Sequence, residues 1–367
     1  MNNKSLNILA IETSCDETAA ALLQVSRFKS QVLRNVVSSQ VKIHRKYGGI
    51  VPEVAARKHV EVIIPIIDQV IGRQKNSIDL ICVTAGPGLI TSLMVGIEAA
   101  KTLSYLWHKP LMPINHLEGH IYSNWLSHEE LFNRKIFQAI CLVVSGGHTE
   151  LYLMTGHNKY QLIGRTRDDA AGEAFDKVAK ILNIGYPGGP AIAKQASQGK
   201  YQISNPKYQI NSKFEIQNSK LIKLPRPMIK SNDFDFSFSG LKTAVLYEVK
   251  KYKKPLNKKL IADFCASFQK AVVDVLVVKT IKAARLYQVK TVMLSGGVSA
   301  NQLLREELQK HCQKYDLKFY CPDLKYTGDN AAMIAMAGYY NYLKTRNKKI
   351  LQSNWQKIKP EANWELK

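Results

Sequence analysis

One pattern occurs twice in the chain and limits the folds that it can adopt. Residues 6–11 are largely apolar, residues 12–18 form a short polar and acidic stretch, and residues 19–23 are apolar again. The same order returns at residues 139–154, where the polar stretch contains two adjacent glycines. Each copy predicts two strands joined by a short turn, and the two copies predict a duplicated α/β lobe.

The chain length and the other segments agree with this prediction. A chain of 367 residues is long for one hydrophobic core, so two lobes are expected. Helix-type and strand-type hydrophobic patterns alternate along the rest of the chain. The predicted helices cover residues 52–70, 92–107 and 260–287, and the predicted strands include residues 80–84 and 291–294.

The chain is strongly basic, with 52 Lys and Arg residues against 29 Asp and Glu residues and a formal net charge of +23. This excess suits a polyanionic partner. Nucleic acid is favoured over a membrane, because no amphipathic or lipid-anchor signal accompanies the charge and no apolar run has membrane-spanning length. A lysine-rich composition with a solvated basic surface explains the charge equally well.

Cysteine usage indicates a compartment. The six cysteines form no C-x-x-C pair, and the sequence shows no signal peptide. Reduced thiols in a cytoplasmic protein are therefore expected.

Two segments depart from the alternating pattern. Residues 201–220 contain an imperfect repeat of aromatic residues spaced by Asn, Ser and Lys. This spacing also suits an RNA-contacting loop, but we favour a low-complexity insertion as the simpler interpretation. Residues 346–367 form a basic tail, which we expect to be solvated and open to contact with RNA.

A pair of histidines is the first candidate for chemistry. Residues 116–120 (HLEGH) place His116 and His120 four positions apart, which on a helix puts both imidazoles on one face, as metal ligands require. Two helical histidines without a ligand role are the simpler alternative. A zinc protease has its general-base glutamate directly after the first histidine. Glu118 comes one position too late and points away from the shared face, so a metalloendopeptidase is disfavoured.

A third ligand is needed to close a metal site, and Asp329 is the candidate. It lies in residues 327–330 (TGDN), a polar turn that opens an alanine-rich helix. The simpler interpretation of Asp329 is a helix N-cap. Two nitrogens and one oxygen would suit iron or zinc, with coordination positions left for substrate oxygens.

Two glycine-rich turns, residues 145–149 (SGGHT) and 295–301 (SGGVSAN), each follow an apolar strand directly. Glycines in this position let backbone N–H groups approach phosphate. Neither turn matches a Walker A loop or G-x-G-x-x-G, and a single S-G-G is more often only a turn. Together with the acidic turn at Asp16 and Glu17, the pair resembles the ATP-binding fold of actin, hexokinase and the heat-shock chaperone ATPases.

Eight motifs, in order along the chain, carry a closer resemblance. They are residues 11–18 (IETSCDET), 48–53 (GGIVPE), 86–89 (GPGL), 115–120 (NHLEGH), 144–149 (VSGGHT), 168–177 (DDAAGEAFDK), 236–243 (FSFSGLKT) and 295–301 (SGGVSAN). On these motifs the sequence resembles the tRNA threonylcarbamoyladenosine transferase family (TsaD). The matches extend from residue 9 to residue 340 and so cover nearly the whole chain.

The resemblance implies a two-lobed α/β fold of the actin, hexokinase and heat-shock-chaperone ATPase (ASKHA) superfamily with a central cleft. It implies a first lobe at residues 1–130, on which a last helix near residues 329–345 packs back, and a second lobe at residues 135–326. The implied reaction transfers threonylcarbamoyl from threonylcarbamoyl-AMP to N6 of adenosine 37 in tRNAs that read ANN codons, and releases AMP. A kinase-like ATPase of the same fold is the alternative.

The resemblance also implies roles for particular positions. His116, His120 and Asp329 become the ligands of one metal ion, iron with zinc as the alternative. Asp16 and Glu17 lie in the turn that faces the reaction centre and are the candidate catalytic residues. The positions that contact the adenylate become Val143, Val144, Ser145, Gly146, Gly147, Asp176, Gly189 and Asn301.

The implied partners are tRNA, an inactive paralogue (TsaB-like) and a small ATPase (TsaE-like), as in bacterial members, which share S-G-G-H-T; no membrane is involved. Two features depart from the family pattern. Residues 327–330 read TGDN where Cys-Thr-Asp-Asn is usual, and residues 201–220 replace a short link. Neither departure removes a candidate ligand.

Overall fold

The computed structural model describes residues 5–72, 74–132, 136–198, 222–252, 255–345, 350–353 and 355–367. The expected insertion at residues 201–220 lies outside these residues. The described chain forms two five-stranded sheets with helices packed against them. None of its described helices is long and apolar enough to cross a membrane.

The first sheet grows from the predicted strand–turn–strand segment at residues 6–23. Its strands are β1 (Leu6–Glu12), β2 (Glu17–Val25), β3 (Ser30–Ser39), β4 (Leu80–Gly86) and β5 (Leu111–Asn115). β1, β2 and β3 pair antiparallel, whereas β4 and β5 join the other side of β1 in parallel. The resulting order is β3-β2-β1-β4-β5.

The second sheet repeats this arrangement. Its strands are β6 (Ala139–Val144), β7 (Thr149–Gly156), β8 (Lys159–Arg165), β9 (Thr291–Ser295) and β10 (Lys318–Tyr320). β6, β7 and β8 pair antiparallel, and β9 and β10 join β6 in parallel, which gives the order β10-β9-β6-β7-β8. The predicted duplication is confirmed.

Helices connect and cover the sheets. Those of the described residues are α1 (Val41–His44), α2 (Pro52–Ile71), α3 (Ile90–Trp107), α4 (His116–Tyr122), α5 (Ala171–Ile181), α6 (Gly188–Ala196), α7 (Ser239–Lys250), α8 (Lys258–Leu286), α9 (Gln302–Lys314), α10 (Ala331–Lys344) and α11 (Ile350–Ser353). The three predicted helices correspond to α2, α3 and α8, and each end lies within two residues of its prediction.

Side-chain alternation along the strands divides the core into layers. In β1, Leu9 and Ile11 pack with α2 and α3 on the outer face of the first sheet, whereas Ile8 and Ala10 face the interior between the sheets. α4 and α10 lie in this inner layer and pack on each other, and α10 also contacts β1 and β2. The segments that carry the candidate metal ligands are therefore held between two apolar sheet faces.

Residues 355–367 are not a solvated tail, contrary to our expectation for this part of the chain. They return to the body of the protein, where Ile358 is only 9% exposed and Leu366 only 8%. Ile358 joins the outer core of the first sheet, and Leu366 joins the core between the sheets. Burial of these two apolar side chains offsets part of the cost of ordering the residues around them.

His157 gives the fold a pH-dependent contribution to stability. Its ring stacks on Tyr340 at 3.8 Å between centroids, and its Nδ1 lies 3.0 Å from the hydroxyl of Tyr122. Trp125 and Phe137 enclose the remaining sides of the ring. Burial lowers the pKa of His157 from 6.5 to about 4, so the imidazole stays neutral in the folded protein under mildly acidic conditions.

We expect the free energy of unfolding to fall as the pH decreases from above 6.5 towards 4, because in this range only the unfolded chain binds the proton. At pH 5 the loss from this group is about 1–2 kcal/mol. Denaturant unfolding at pH 7.5 and pH 5 measures it. His157→Phe keeps the stacking and should lose this part of the pH dependence, whereas His108→Asn, at an exposed position, should retain it. Equal pH dependence in His157→Phe and the unaltered protein would contradict the assignment.

Candidate functional site

Helix α4 brings the two candidate histidines to one face. Asn115, the last residue of β5, caps the helix, since its side-chain oxygen accepts hydrogen bonds from the N–H groups of Leu117 (2.9 Å) and Glu118 (3.3 Å). His116 is therefore the first helical residue and His120 follows one turn later. Their ring centroids are 4.6 Å apart, which confirms the predicted helix and the shared face.

Asp329 lies directly before α10 and faces the same two rings. Its Oδ1 is 3.2 Å from Nε2 of His120 and 3.5 Å from Nε2 of His116. The alternative role of Asp329 as an N-cap is wrong, because Asn330 caps α10 by accepting a hydrogen bond from the N–H of Met333 at 3.1 Å. Residues distant in sequence meet here because α4 and α10 pack together between the sheets.

This cluster fits a metal ion. One ligand atom from each of the three residues lies within 4.8 Å of the other two. Ligand atoms about 2.1 Å from a shared ion are about 3.0–3.4 Å apart, close to the two distances given above. Neither ring nitrogen of the buried His120 has a hydrogen-bond partner among the described residues, because its contact with Asp329 lacks hydrogen-bond geometry. A metal ion would satisfy this otherwise costly imidazole.

Glu12 is a buried carboxylate that orients His116. Its Oε2 lies 3.0 Å from Nδ1 of His116 and accepts a hydrogen bond from the hydroxyl of Thr84 at 2.6 Å. Its Oε1 accepts from the backbone N–H of Ser14 at 2.5 Å. With Nδ1 held by the carboxylate, Nε2 of His116 remains free to bind a metal. Our sequence analysis gave Glu12 no role, although a glutamate ending an apolar strand was a signal for one.

The charges in this cluster depend on one another. Burial lowers the pKa of His116, but the charges of Glu12 and Asp329 outweigh burial and raise that pKa to about 9. Burial opposes ionisation of Asp329 as well, yet the two histidines hold its pKa well below the usual range. Burial lowers the pKa of His120. His120 and Asp329 are thus already in the forms that bind a metal, while His116 would have to release a proton to do so.

Glu118 points away from the two histidines, as expected. Its carboxylate accepts hydrogen bonds from the side-chain amides of Asn158 and Asn341, each at 2.7 Å, and from the hydroxyl of Tyr160 at 3.1 Å. A buried carboxylate with three donors is a structural anchor. It does not face the cluster, so the geometry of a metalloendopeptidase is not present at this site.

The turn between β1 and β2 carries Asp16 and Glu17. His59 of α2 holds this turn in place, since its Nε2 lies 2.9 Å from the carbonyl oxygen of Cys15. Burial, and after it the charge of Asp329, raises the pKa of Asp16 to about 6. Burial, and after it the charge of Asp16, raises the pKa of Glu17 to about 8. These shifts put both acids within the electrostatic influence of the histidine–aspartate cluster.

The first glycine turn joins β6 to β7. The valines at 143 and 144 end β6, and residues 145–147 form the turn. The turn is closed by two hydrogen bonds, from Ser145 N–H to the carbonyl of His148 at 2.8 Å and from His148 N–H to the hydroxyl of Ser145 at 3.2 Å. A Cβ atom at Gly146 or Gly147 would meet nothing within 4 Å. The outer side of this backbone is therefore open to a ligand.

Two further adenylate candidates lie on neighbouring helices. Asp176 in α5 accepts a hydrogen bond from the N–H of Gly188 at 2.6 Å, which ties α5 to the first turn of α6. Gly189 follows in that turn and also has open space beside it. The N–H of Gly172, in the first turn of α5, donates to the carbonyl of Ser145 at 3.2 Å. The structure thus brings these positions next to the glycine turn.

Asn301 reaches the same region from the second glycine turn. A Cβ atom at Gly296 would lie 2.4 Å from the carbonyl oxygen of Val144, so this turn packs directly against the end of β6. The Asn301 side chain already caps α9 by accepting from the N–H of Leu304 at 3.1 Å and donates to Gln269 at 2.9 Å. Its side chain is therefore engaged within the protein, which was not expected.

His148 lies near the cluster of His116, His120 and Asp329, although our sequence analysis gave it no role of its own. Burial, and after it the nearby His116 and His120, lowers the pKa of His148 to about 4. The ring is therefore neutral at physiological pH. The sequence could have indicated His148, because it is the histidine of the S-G-G-H-T turn.

Comparison with known proteins gives a family for this arrangement. The family model of TsaD, tRNA N6-adenosine threonylcarbamoyltransferase, matches residues 31–336. The tRNA N6-adenosine threonylcarbamoyltransferase of Syntrophomonas wolfei subsp. wolfei is 47% identical over 338 residues, which cover 91% of this chain and 92% of that protein. The enzyme of the same name from Thermosipho africanus is 48% identical over 340 residues, with coverage of 92% and 94%.

Solved structures share the fold at low sequence identity. HypF of T. kodakarensis aligns with 96% of this chain and 51% of its own, with a TM-score of 0.52 and 14% identity. The activator of the 2-hydroxyisocaproyl-CoA dehydratase of Clostridium difficile aligns with 96% of this chain and 98% of its own, with a TM-score of 0.50 and 10% identity. These likenesses show a shared fold, and together with the two five-stranded sheets they confirm the predicted two-lobed α/β fold class.

The family match covers most of the chain, and relatives close to half identical carry one enzyme name. That name describes the transfer of a threonylcarbamoyl group, so it favours neither the kinase-like ATPase nor the metalloendopeptidase. The chain belongs to the TsaD family of tRNA N6-adenosine threonylcarbamoyltransferases.

Proposed function

We propose that this protein transfers threonylcarbamoyl from threonylcarbamoyl-AMP to N6 of adenosine 37 in tRNAs that read ANN codons. The observation that carries the proposal is the buried cluster of His116, His120 and Asp329 beside an open glycine turn. A kinase of this fold needs no pair of histidines. A non-catalytic relative has no use for a buried imidazole without a hydrogen-bond partner, because such a group costs stability.

The reaction requires the protein to align two substrates. The carbamoyl carbon of the donor is already activated as a mixed anhydride with phosphate. During transfer a bond forms between N6 and this carbon, the bond from the carbon to the phosphate oxygen breaks, AMP leaves, and N6 loses one proton. We assign the adenylate to the backbone of residues 143–147, with Asp176, Gly189 and Asn301 around it, because open glycines allow close approach to phosphate.

The histidine–aspartate cluster supplies the metal site in this proposal. His116, His120 and Asp329 would hold one ion, and Glu12 would fix the ring of His116. When bound, the ion supplies Lewis acidity towards oxygen atoms of the donor. Two nitrogens and one oxygen suit iron, which we propose, with zinc as the alternative.

Asp16 is our candidate for the acceptor of the N6 proton. A carboxyl with a pKa of about 6 is ionised at neutral pH and still binds a proton readily, which suits a general base. Glu17, with a pKa of about 8, is protonated at neutral pH. Its Oε1 accepts a hydrogen bond from Ser39 at 2.9 Å, whereas its buried Oε2 has no partner among the described residues. Glu17 is therefore proposed as a hydrogen-bond donor towards substrate.

The proposed substrate also bears on the compartment and the partners of the protein. We propose that the protein acts in the cytoplasm on tRNA, together with an inactive paralogue and a small ATPase, as the resemblance to bacterial members implies. The net charge of +23 suits a polyanionic substrate.

The transfer itself is tested with the full chain, its partner proteins, threonylcarbamoyl-AMP and unmodified tRNA. Threonylcarbamoyladenosine and AMP should appear in equal amounts, measured by mass spectrometry of the nucleosides and by chromatography. A matched tRNA with guanosine at position 37 should stay unmodified, because only adenine has the N6 amine. Formation of ADP with a phosphorylated small molecule, and no modified tRNA, would identify a kinase-like ATPase instead.

His116→Ala and His120→Ala should each lose most of the bound metal and nearly all transfer, because two remaining ligands hold an ion weakly. AMP binding should persist, since the glycine turn belongs to the other sheet. Elemental analysis and calorimetry measure the two effects. His108→Asn removes an exposed histidine and should keep both metal and transfer. Full metal occupancy in either α4 variant would rule out the site.

The same measurements on two adjacent residues separate ligation from capping. Asp329→Ala should also lose the metal. Asn330→Ala should keep it and lower the free energy of unfolding by about 1 kcal/mol, because it removes the cap of α10. Metal loss in Asn330→Ala with retention in Asp329→Ala would reverse the assignment.

Binding of tRNA should weaken steeply with salt, because each phosphate that pairs with Lys or Arg releases counterions. A protein with about six to ten phosphate contacts loses roughly 10³–10⁵ in affinity between 50 and 200 mM salt. Fluorescence titration across this range measures the slope. AMP binding is the internal control and should change far less. If tRNA affinity did not change with salt, the excess of Lys and Arg would reflect composition alone and not a role in tRNA binding.

A further inference from the structure

Residues 42–48, here called the basic loop, follow β3 next to the acidic turn. The N–H of Gln40 donates to the carbonyl of Asp16 at 3.1 Å, and the hydroxyl of Ser39 donates to the carboxylate of Glu17 at 2.9 Å. The chain that leads into the basic loop is therefore bonded to the turn that carries the candidate general base.

A buried histidine holds the basic loop in place. Nε2 of His44 lies 3.3 Å from the side-chain oxygen of Gln40, and its Nδ1 accepts from the N–H of Val51 at 3.3 Å. The chain then turns at Gly48, whose φ of 68° favours glycine. Residues 45–48 are thus exposed on a backbone that is anchored on both sides.

The basic loop reaches across the cleft to the second lobe. Nε of Arg45 donates to the carbonyl of Tyr186 at 3.1 Å, and a Cβ atom at Gly48 would lie 3.9 Å from Nζ of Lys180 in α5. Burial, and after it the charge of Asp16, raises the pKa of the Tyr186 phenol, which places this residue near the acidic turn. The basic loop therefore lies at the rim of the cleft beside the candidate site.

The rim at this point combines free positive charge with an aromatic ring. Four exposed cations form no ion pair among the described residues: Lys42, Arg45, Lys46 and Lys180. Arg45 uses one of its five N–H donors on the second lobe, so four remain. Tyr47 is 49% exposed, and Nζ of Lys46 lies 5.0 Å from the centre of its ring. Unpaired cations next to an exposed aromatic side chain are typical of surfaces that bind unpaired RNA.

The other side of the β1–β2 hairpin lacks such charge. There residues 361–365 bond to the end of β4 and pair with Arg165 at the end of β8. The carboxyl groups of Glu150 and Glu365 line the cavity at this segment, and its arginine is already paired with Glu365. A polyanion is therefore favoured on the side of the basic loop.

We propose that the basic loop and Lys180 form the surface that binds the anticodon arm of the tRNA, with the cations on phosphates that flank the target adenosine and Tyr47 stacked on an unpaired base. The inference rests on the proposed transfer to adenosine 37. A base whose N6 is to reach Asp16 must turn out of its stack into the cleft, while its flanking phosphates stay at the rim. The free N–H donors of Arg45 match phosphate oxygens, and aromatic stacking accepts any base.

Titration of the full chain and its partner proteins with fluorescent tRNA, and with the isolated anticodon stem–loop, tests this surface. Arg45→Gln, Lys46→Gln and Lys180→Gln should each weaken binding of both RNAs by about threefold to tenfold, and the triple variant should lower the salt slope by about two to three. Affinity for AMP should not change, because the adenylate turn lies on the other sheet.

Tyr47 is tested separately, because stacking does not depend on salt. Tyr47→Leu should weaken binding of the stem–loop by about fivefold or more, and Tyr47→Phe should keep most of the affinity. Arg45→Lys keeps the charge and should retain most of the binding, which separates the loss of a phosphate contact from a loss of folding. Equal binding by Tyr47→Leu and the unaltered protein would overturn the stacking contact.

Lys310→Gln is the matched control, since it removes the same charge from an exposed position on α9 and should bind both RNAs like the unaltered protein. An equal loss in Lys310→Gln would show that net charge, and not this surface, binds the RNA. A loss confined to whole tRNA, with the stem–loop unaffected, would also overturn the proposal. Unaltered transfer by the triple variant would overturn the surface and not the reaction. Binding that depends on the basic loop, without any modified adenosine, would count against the reaction and support the surface.

Discussion

The buried imidazole of His120 is the constraint on which the rest of the site depends. Both of its ring nitrogens are shielded from solvent without a hydrogen-bond partner among the described residues, although Asp329 lies 3.2 Å away. A buried polar group left in this state costs about 1–3 kcal/mol. Packing nevertheless holds the ring of His120 in this position. Asn115 caps α4, Asn330 caps α10, and the two helices pack between apolar sheet faces. An ion shared with His116 and Asp329, as we propose, would offset this cost.

Duplication gives the acidic turn and the glycine turn equivalent places in the two sheets. The β1–β2 turn and the β6–β7 turn occupy equivalent positions in two sheets of identical strand order. One copy has an acidic turn with Asp16 and Glu17, and the other has a glycine turn with an open backbone. The two copies therefore differ in charge at equivalent positions, which agrees with the separate roles that we propose for the acidic turn and the glycine turn.

The sequence predicted those features that local patterns determine. Alternating hydrophobicity located the duplicated hairpins and the long helices, and the i,i+4 spacing placed His116 and His120 on one face. Local patterns did not decide between Asp329 and Asn330, since both residue types cap helices well and they are adjacent. The choice depends on which side chain reaches back to the N–H of Met333, and only packing fixes that. Likewise Glu12 acts on a histidine 104 positions away, and no local signal specifies such a partner.

Residues 355–367 show how composition misled the interpretation of this part of the predicted tail. The buried apolar residues Ile358 and Leu366 are separated by a mixture of charged, polar and apolar residues, so neither a helical nor a strand period is visible. Ile358 joins the outer core of the first sheet and Leu366 joins the core between the sheets, and both cores are built from residues far away in sequence. The contacts of this segment with the two sheets differ in strength. Backbone hydrogen bonds of residues 361 and 362 hold it to the end of β4 in the first sheet. An exposed ion pair between Glu365 and Arg165 joins it to the second sheet. An ion pair so exposed contributes little to stability, so this segment is held to the first sheet more firmly than to the second.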